Sequence, residues 1–265
     1  MHKINFTKMV ASGNDFVLIK PGYPVIRLSG YPSLAKNICD RKFGIGADGL
    51  LILEESKIAD VKMRIFNADG SEAQMCGNGA RCVALYMGKG KVKIETKAGI
   101  IVSEVNDDSV KIKLTDPKNI RLDMPIQVNN RRLKVNFINT GVPHTVIFVE
   151  GLNKIDVVGL GRQIRYHQRF APAGTNVDFV EQRNNNSLKI RTYERGVEDE
   201  TLACGTGAAA SSFIFALKAD TGNKVNVHTQ GGEILKVYFC KDNTKISDVW
   251  LEGKVRIVHK GLFLL

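Results

Sequence analysis

Phe66 to Met87 reads FNADGSEAQMCGNGARCVALYM, and Thr192 to Ala210 reads TYERGVEDETLACGTGAAA: the chain carries one motif twice. In each copy a polar segment ends at a cysteine, Cys76 or Cys204, followed by Gly-x-Gly and a run of small and apolar residues without Pro. The two cysteines stand 128 positions apart in a chain of 265. Upstream, SGNDFVLI sets Asn14 62 positions before Cys76, and TGVPHTVIF sets Val142 62 positions before Cys204. Closer in, Asn67 precedes its cysteine by nine positions and Glu194 by ten. A unit repeated at half-length predicts two domains of similar plan.

From Gly205 to Leu217 there is no charge, and the run is rich in Ala. It predicts a buried helix whose first turn is Gly205-Thr206-Gly207, with Cys204 at its N-terminus. The first backbone N–H groups of a helix have no partner within it, and the dipole places partial positive charge there. A thiol at that end is expected to ionise more easily than a free one. The same N–H groups can hold a carboxylate.

Composition narrows the classes. The apolar fraction of 43% is enough for real cores. No apolar run approaches the ~18 residues of a membrane helix, and Met1-His2-Lys3-Ile4-Asn5 does not read as a signal peptide. A cytoplasmic protein with no membrane partner is expected. The five cysteines Cys39, Cys76, Cys82, Cys204 and Cys240 include no C-x-x-C, so neither a disulfide framework nor a zinc site is indicated. The net charge of +11 raises nucleic-acid binding as a rival. Its basic residues, however, alternate with apolar ones, as in Lys91-Val92-Lys93-Ile94 and Lys111-Ile112-Lys113-Leu114, which reads as the wet face of a sheet. No nucleic-acid partner is expected; an anionic substrate would gain from the field.

Along the chain, Ile4 to Val10 and Asp15 to Ile19 alternate as strands around a turn that holds Asn14. Pro32 to Phe43 has helical spacing, with Cys39 inward. Gly44-Ile45-Gly46-Ala47-Asp48-Gly49 matches G-x-G-x-x-G but lies between a charged segment and a strand, so it reads as a tight loop and not as a dinucleotide fingerprint. Val61 to Phe66 delivers Asn67 to a turn before the Cys76 helix, on which Cys82 faces the packing side. Strands follow at Lys91–Thr96, Ile100–Val105 and Val110–Thr115. Asp116-Pro117 breaks the pattern and sets the expected boundary: residues 1–117, with a terminal strand about 255–265, carry Cys76, and residues 118–254 carry Cys204. The second half offers strands at Arg131–Asn139, Thr145–Glu150, Asn176–Glu181 and Ser187–Tyr193, and a helix around Gly159–Tyr166. Beyond the Cys204 helix come strands at Lys224–His228, Glu233–Phe239 and Lys254–His259. The expected fold is α/β (α+β): two pseudo-symmetric halves, each with sheets curled around a central helix.

Two like groups that act on opposite faces of one carbon suit stereoinversion. One thiolate removes an α-proton, the opposite thiol returns one, and the developing anion rests on helix N-termini without a metal. The segments FNADGSEAQMCGNGARC, RYHQRFAPAGTNVDFVE and TYERGVEDETLACGTGAAA resemble the motifs of the diaminopimelate epimerases, and the resemblance spans nearly the whole chain. It implies a cofactor-independent isomerase of lysine and peptidoglycan-precursor biosynthesis that converts LL-diaminopimelate to its meso form, commonly as a homodimer. The acid/base pair falls on Cys76 and Cys204. The N–H donors fall on Gly77, Asn78, Gly205 and Thr206. Substrate contacts fall on Asn14, Asn67, Asn176, Glu194 and Arg195, with Glu194 also beside the chemistry, and a thiol-tuning histidine falls on His144. No cofactor and no metal are expected.

Plainer readings exist: Asn67 and Asn176 as turn residues, Glu194 and Arg195 as a surface ion pair, His144 as a core histidine. Two departures stand out. Many members have GNPH where this chain has Gly141-Val142-Pro143-His144, and some have a polar residue where it has Gly49. Proline racemases and broader amino-acid racemases would use the same cysteine pair. The phenazine-type isomerases share the scaffold but usually lack that pair.

Overall fold

A computed structural model describes residues 3–20, 30–88, 90–219 and 221–264. Met1 and His2, read above against a leader, and Leu265, at the end of the expected terminal strand, lie outside the described residues. The chain divides into two compact units, residues 1–112 with 253–265, and residues 113–252.

The first unit opens with β1 (Lys3–Ala11) and β2 (Asn14–Ile19), joined by a two-residue turn. Both turn residues have positive φ, Ser12 at 54° and Gly13 at 79°, the turn whose twist matches that of paired strands. That turn makes Asn14 the first residue of β2. Then come α1 (Tyr31–Cys39), β3 (Gly49–Glu54), β4 (Val61–Asn67), the short β5 (Glu72–Ala73), α2 (Gly77–Met87), β6 (Lys91–Thr96), β7 (Gly99–Asn106) and β8 (Ser109–Lys113). Helix α1 stops at Cys39, four residues before the expected Phe43. Asp40 turns extended, and its carboxylate accepts the N–H groups of Lys42 and Phe43, a local turn that outcompetes the helix. The apolar face of α1, Leu34, Ala35 and Ile38, packs on Val17, Leu50, Ile52 and Phe66.

The second unit contains β9 (Lys118–Val128), β10 (Arg131–Asn139), β11 (Pro143–Phe148), α3 (Val157–Arg165), β12 (Asn176–Asn184), β13 (Ser187–Glu194) and β14 (Asp199–Thr201). After them come α4 (Gly205–Lys218), β15 (Lys224–His228), β16 (Ile234–Asp242) and β17 (Lys245–Leu264), whose last residues belong to the first unit. Two pieces of this list differ from expectation. Strand β9 begins just after the break read at Asp116-Pro117, over residues where no strand was expected, because Pro125 interrupts an alternation in which Met124, Ile126 and Val128 are buried. Strand β17 begins nine residues before the expected Lys254, continuing from its pairing with β16 to its pairing with β1.

The pairing pattern repeats. In the first unit β1–β2 is antiparallel, β2–β3 parallel, β3–β4 and β4–β5 antiparallel, β4–β6 parallel and β6–β7 antiparallel. In the second, β10–β11, β11–β12, β12–β13, β13–β14, β13–β15 and β15–β16 follow the same sequence of senses. Helix α2 touches β1, β2, β4, β6 and β7; α4 touches β10–β13, β15 and β16. Each sheet thus wraps its own helix. Every residue of α4 from Gly207 to Ala216 is buried, the burial expected of a helix apolar all round.

Candidate active site

In both units a cysteine is the residue that caps the wrapped helix. Cys76, at φ −143° and ψ 123°, precedes α2, and its Sγ accepts the Gly79 N–H at 3.5 Å. Cys204, at φ −122° and ψ 112°, precedes α4, and its Sγ accepts the Gly207 N–H at 3.4 Å. Extended backbone and a side-chain acceptor for the third helical N–H are the features of an N-cap, here built with sulfur in place of oxygen. Gly77 and Asn78, like Gly205 and Thr206, form the first helical positions, whose N–H groups find no partner within the helix.

Around Cys76, which is half-buried, Asn14 lies with Oδ1 3.9 Å from Sγ. The Asn14 amide is oriented from its other end: Nδ2 donates to Asp48 Oδ2 at 2.7 Å, and Asp48 is itself gripped by Arg41. Arg41 and Lys8 also bind Asp15, holding its carboxyl well below the usual range against the opposing cost of burial. Asn78 accepts from buried Arg81, which also donates to Ser12 Oγ. Asn67 is exposed at the end of β4, where its Nδ2 donates to Ser71 Oγ at 2.9 Å, so its visible contact is within the turn.

The surroundings of Cys204 are different. Its Sγ lies 3.4 Å from Thr206 Oγ1, which lies 3.0 Å from His144 Nε2. His144 Nδ1 is 2.7 Å from Asp178 Oδ2, and Asp178 Oδ1 accepts the Thr192 hydroxyl at 2.8 Å. His144 and Asp178 are wholly buried. Asn176 reaches His144 Nε2 with Nδ2 at 3.3 Å, while its Oδ1 accepts the Arg195 backbone N–H at 2.7 Å. The Arg195 guanidinium donates to Ala173 O. Burial pushes the Glu194 carboxyl up, with Asp178 adding to the shift and Thr201 and His144 opposing it.

One expectation is overturned here. Burial pushes the Cys204 thiol far above its ordinary value, with Glu194 and Asp178 reinforcing the shift and only Thr206 and the Gly207 N–H opposing it. Desolvation beside two carboxylates outweighs the helix end. Cys39 and Cys82 are buried packing residues, as their spacing suggested.

Sequence reading missed Asp178 and Thr192 at this site, and Asp48 behind Asn14. A signal for Asp178 was present: it is the single charged residue within Asn176-Val177-Asp178-Phe179-Val180, a strand core in which every residue, Asp178 included, is buried.

The family model for diaminopimelate epimerase matches residues 6–120 and 136–258. The chain belongs to the diaminopimelate epimerase family. A member from Methanocella arvoryzae is 42% identical across 98% of this chain and 97% of its own length. Another from Caldanaerobacter subterraneus is 41% identical across 97% and 98%. Among solved structures, a phenazine biosynthesis protein of the PhzF family from Bacillus anthracis superposes over the full length of both chains with a TM-score of 0.75 at 18% identity, a likeness of fold. The architecture expected from the resemblance, a strand-rich α/β fold of this family of isomerases, is the one observed.

Proposed function

We propose that this chain epimerises LL-diaminopimelate to the meso form with Cys76 and Cys204 as its two bases. One thiolate takes the α-proton and the opposite thiol delivers a proton to the other face of the carbon, with no cofactor or metal. The observation that carries the reading is the twice-built cap, each cysteine sulfur seated on a backbone N–H at a helix start. A carboxylate placed at the first start would meet the N–H groups of Gly77 and Asn78, and one placed at the second those of Gly205 and Thr206, and charge that develops there would fall where the helix dipole points. Asn14, Asn67, Asn176, Glu194 and Arg195 are assigned to recognition of the substrate's amino and carboxyl groups, Glu194 also to the chemistry, and His144 to tuning Cys204. We assign the protein to lysine and peptidoglycan-precursor synthesis in the cytoplasm. We also propose a homodimer, supported by Ile257, Val258, Leu262 and Leu264, which β17 leaves about half exposed.

Incubation with LL-diaminopimelate in deuterated water tests the assignment. The meso isomer should accumulate with deuterium at the inverted α-carbon, and Cys76→Ala or Cys204→Ala should lower kcat by at least about 10²-fold, the loss expected for a missing general acid or base. Near-normal turnover in either variant would remove the two-base mechanism. Inertness toward diaminopimelate with turnover of a monocarboxylic amino acid would move the chain to the racemases.

A further inference from the structure

The duplication supplies an internal control for the buried polar cluster in the second unit. Parallel pairing sets Phe16 opposite Gly49 and Leu18 opposite Leu51, and Leu51 pairs with Ile65. The same steps in the second unit set His144 opposite Asn176 and Val146 opposite Asp178, and Asp178 pairs with Thr192. Phe16, Leu51 and Ile65 therefore occupy the register positions of His144, Asp178 and Thr192. The helix confirms the match: a Cβ on Gly79 would meet Leu51 and Ile65, and one on Gly207 would meet Asp178. Apolar residues are enough to pack this place in the fold. Burying a histidine, a carboxylate and a hydroxyl there costs free energy that only hydrogen bonding offsets, so the polar set calls for a role beyond packing.

The hydrogen bonds run in one direction. Asp178 also accepts from Thr192 and faces His144 Nδ1, so as a carboxylate it requires the proton on Nδ1. Asn176 requires the same from the far side of the ring. Its Oδ1 is committed to the Arg195 N–H, which leaves its amino group facing Nε2, and Nε2 must accept. The single Nε2 lone pair is then shared by the Asn176 amino group at 3.3 Å and, more closely, the Thr206 hydroxyl at 3.0 Å, which donates to it and presents its own lone pair to the Cys204 thiol.

We infer that Asp178 and Thr192 are positioning residues that lock His144 as its Nδ1–H tautomer, and that the Thr206 hydroxyl relays the Cys204 proton to His144 Nε2. In the relay the Cys204 S–H bond breaks and that proton bonds to Thr206 Oγ1, while the Thr206 proton moves to Nε2. A thiolate and an imidazolium result, and Asp178 balances the imidazolium. No electrons are exchanged, and the reverse transfer restores the thiol. This gives Cys204, a buried thiol beside Glu194 and Asp178, a route to its reactive form. The relay belongs to one copy alone, since Cys76 faces Asn14 and the first unit has Phe16 in the place of His144. The inference rests on Cys204 being one of the two bases of the proposed reaction.

Two substrate-free measurements on the full-length protein test it. Long-range ¹H–¹⁵N spectra of the imidazoles, with His144 identified by the signal lost in His144→Gln, should show the Nδ1–H form in the wild type. Asp178→Asn replaces the carboxylate with an amide whose N–H facing Nδ1 opposes the Nδ1–H form, so that form should lose population to the Nε2–H form, held back only by Asn176. In parallel, alkylation by iodoacetamide is followed for each cysteine by peptide mass spectrometry. Thr206→Val keeps the backbone N–H and removes the hydroxyl, so Cys204 should react severalfold more slowly while Cys76 keeps its rate; Thr206→Ser should restore Cys204. An Nε2–H ring in the wild type, or unchanged Cys204 alkylation in Thr206→Val, overturns the relay. With diaminopimelate, kcat of both Asp178→Asn and Thr206→Val should fall by about 10²-fold or more. If no variant, nor the wild type, acts on diaminopimelate, the substrate assignment fails, and the spectra and alkylation rates still decide the relay.

Discussion

Gly207→Ala should be one of the most damaging single-methyl additions in the second unit. An added Cβ would lie 2.4 Å from Asp178 Oδ1 and 3.3 Å from both Asp178 Cγ and Cys204 Cβ. Ordinary contact needs roughly 1 Å more, and the carboxylate has nowhere to retreat. It is fully buried and held from two sides, by His144 at 2.7 Å and Thr192 at 2.8 Å. Overpacking of this kind costs about 1–3 kcal/mol, and a hydrogen bond to a charged group lost in the displacement adds about 1.5–3 kcal/mol. The better helix propensity of Ala returns at most about 1 kcal/mol. The net expectation is about 1.5–5 kcal/mol of lost stability. The counterpart Gly79→Ala makes one tight contact, Leu51 Cδ2 at 3.0 Å, the end of a side chain that can turn, with Ile65 Cδ1 at 3.5 Å and Cys76 Cβ at 3.6 Å in ordinary contact, and should stay within about 1 kcal/mol of wild type. Urea unfolding would be followed by circular dichroism and by emission of Trp250, the single tryptophan. Gly207→Ala should lower the midpoint without changing m. A misplacement near 1 Å beside Cys204 should also lower kcat/KM by about 10²-fold. In an Asp178→Ala background the clash disappears, so the two costs should fall short of additivity by about 0.5–3 kcal/mol. A Gly207→Ala protein within about 0.5 kcal/mol of wild type, or costs that add in full, would refute the packing argument.

Glu194→Gln should stabilise the fold at neutral pH while lowering activity. The native carboxyl is shifted up from 4.5 by burial, so the native state holds this proton to higher pH than the unfolded chain does. Stability falls as pH rises above that ordinary value, and the advantage of Gln should grow over the same range and vanish below it, as read by thermal unfolding against pH. Val142→Asn introduces the Asn of the GNPH motif that the resemblance implies at this loop position and should raise kcat/KM for diaminopimelate by up to about tenfold, the equivalent of one hydrogen bond; a loss of activity would count against the proposed substrate. If the proposed dimer forms through β17, replacing Ile257 and Leu262 with Lys should convert it to monomer in sedimentation velocity, and an unchanged sedimentation coefficient would exclude this strand as the interface.

What was legible in the sequence was whatever contiguous residues carry. The repeated Cys-Gly-x-Gly followed by a Pro-free, largely apolar run states a helix start, its buried character and its duplication within a dozen residues, and the family motifs extend that reading to Asn14, His144, Asn176 and Glu194. The expected helix ends and strands failed where local turns or prolines competed: at Asp40, whose carboxylate takes two backbone N–H groups, and along β9, where Pro125 hides a buried alternation. The two sides of the duplication looked chemically alike in the sequence and are not alike in the fold. His144, Asp178, Thr192 and Thr206 meet because a parallel pairing of β11 with β12 and an antiparallel pairing of β12 with β13 bring together residues 14 to 62 positions apart, beneath the start of α4. The sign of the shift at Cys204 was decided there as well. A helix end lowers a thiol's pKa wherever it stands, but the opposing cost of desolvation, and the carboxylates that add to it, exist only once the strands have closed around the sulfur.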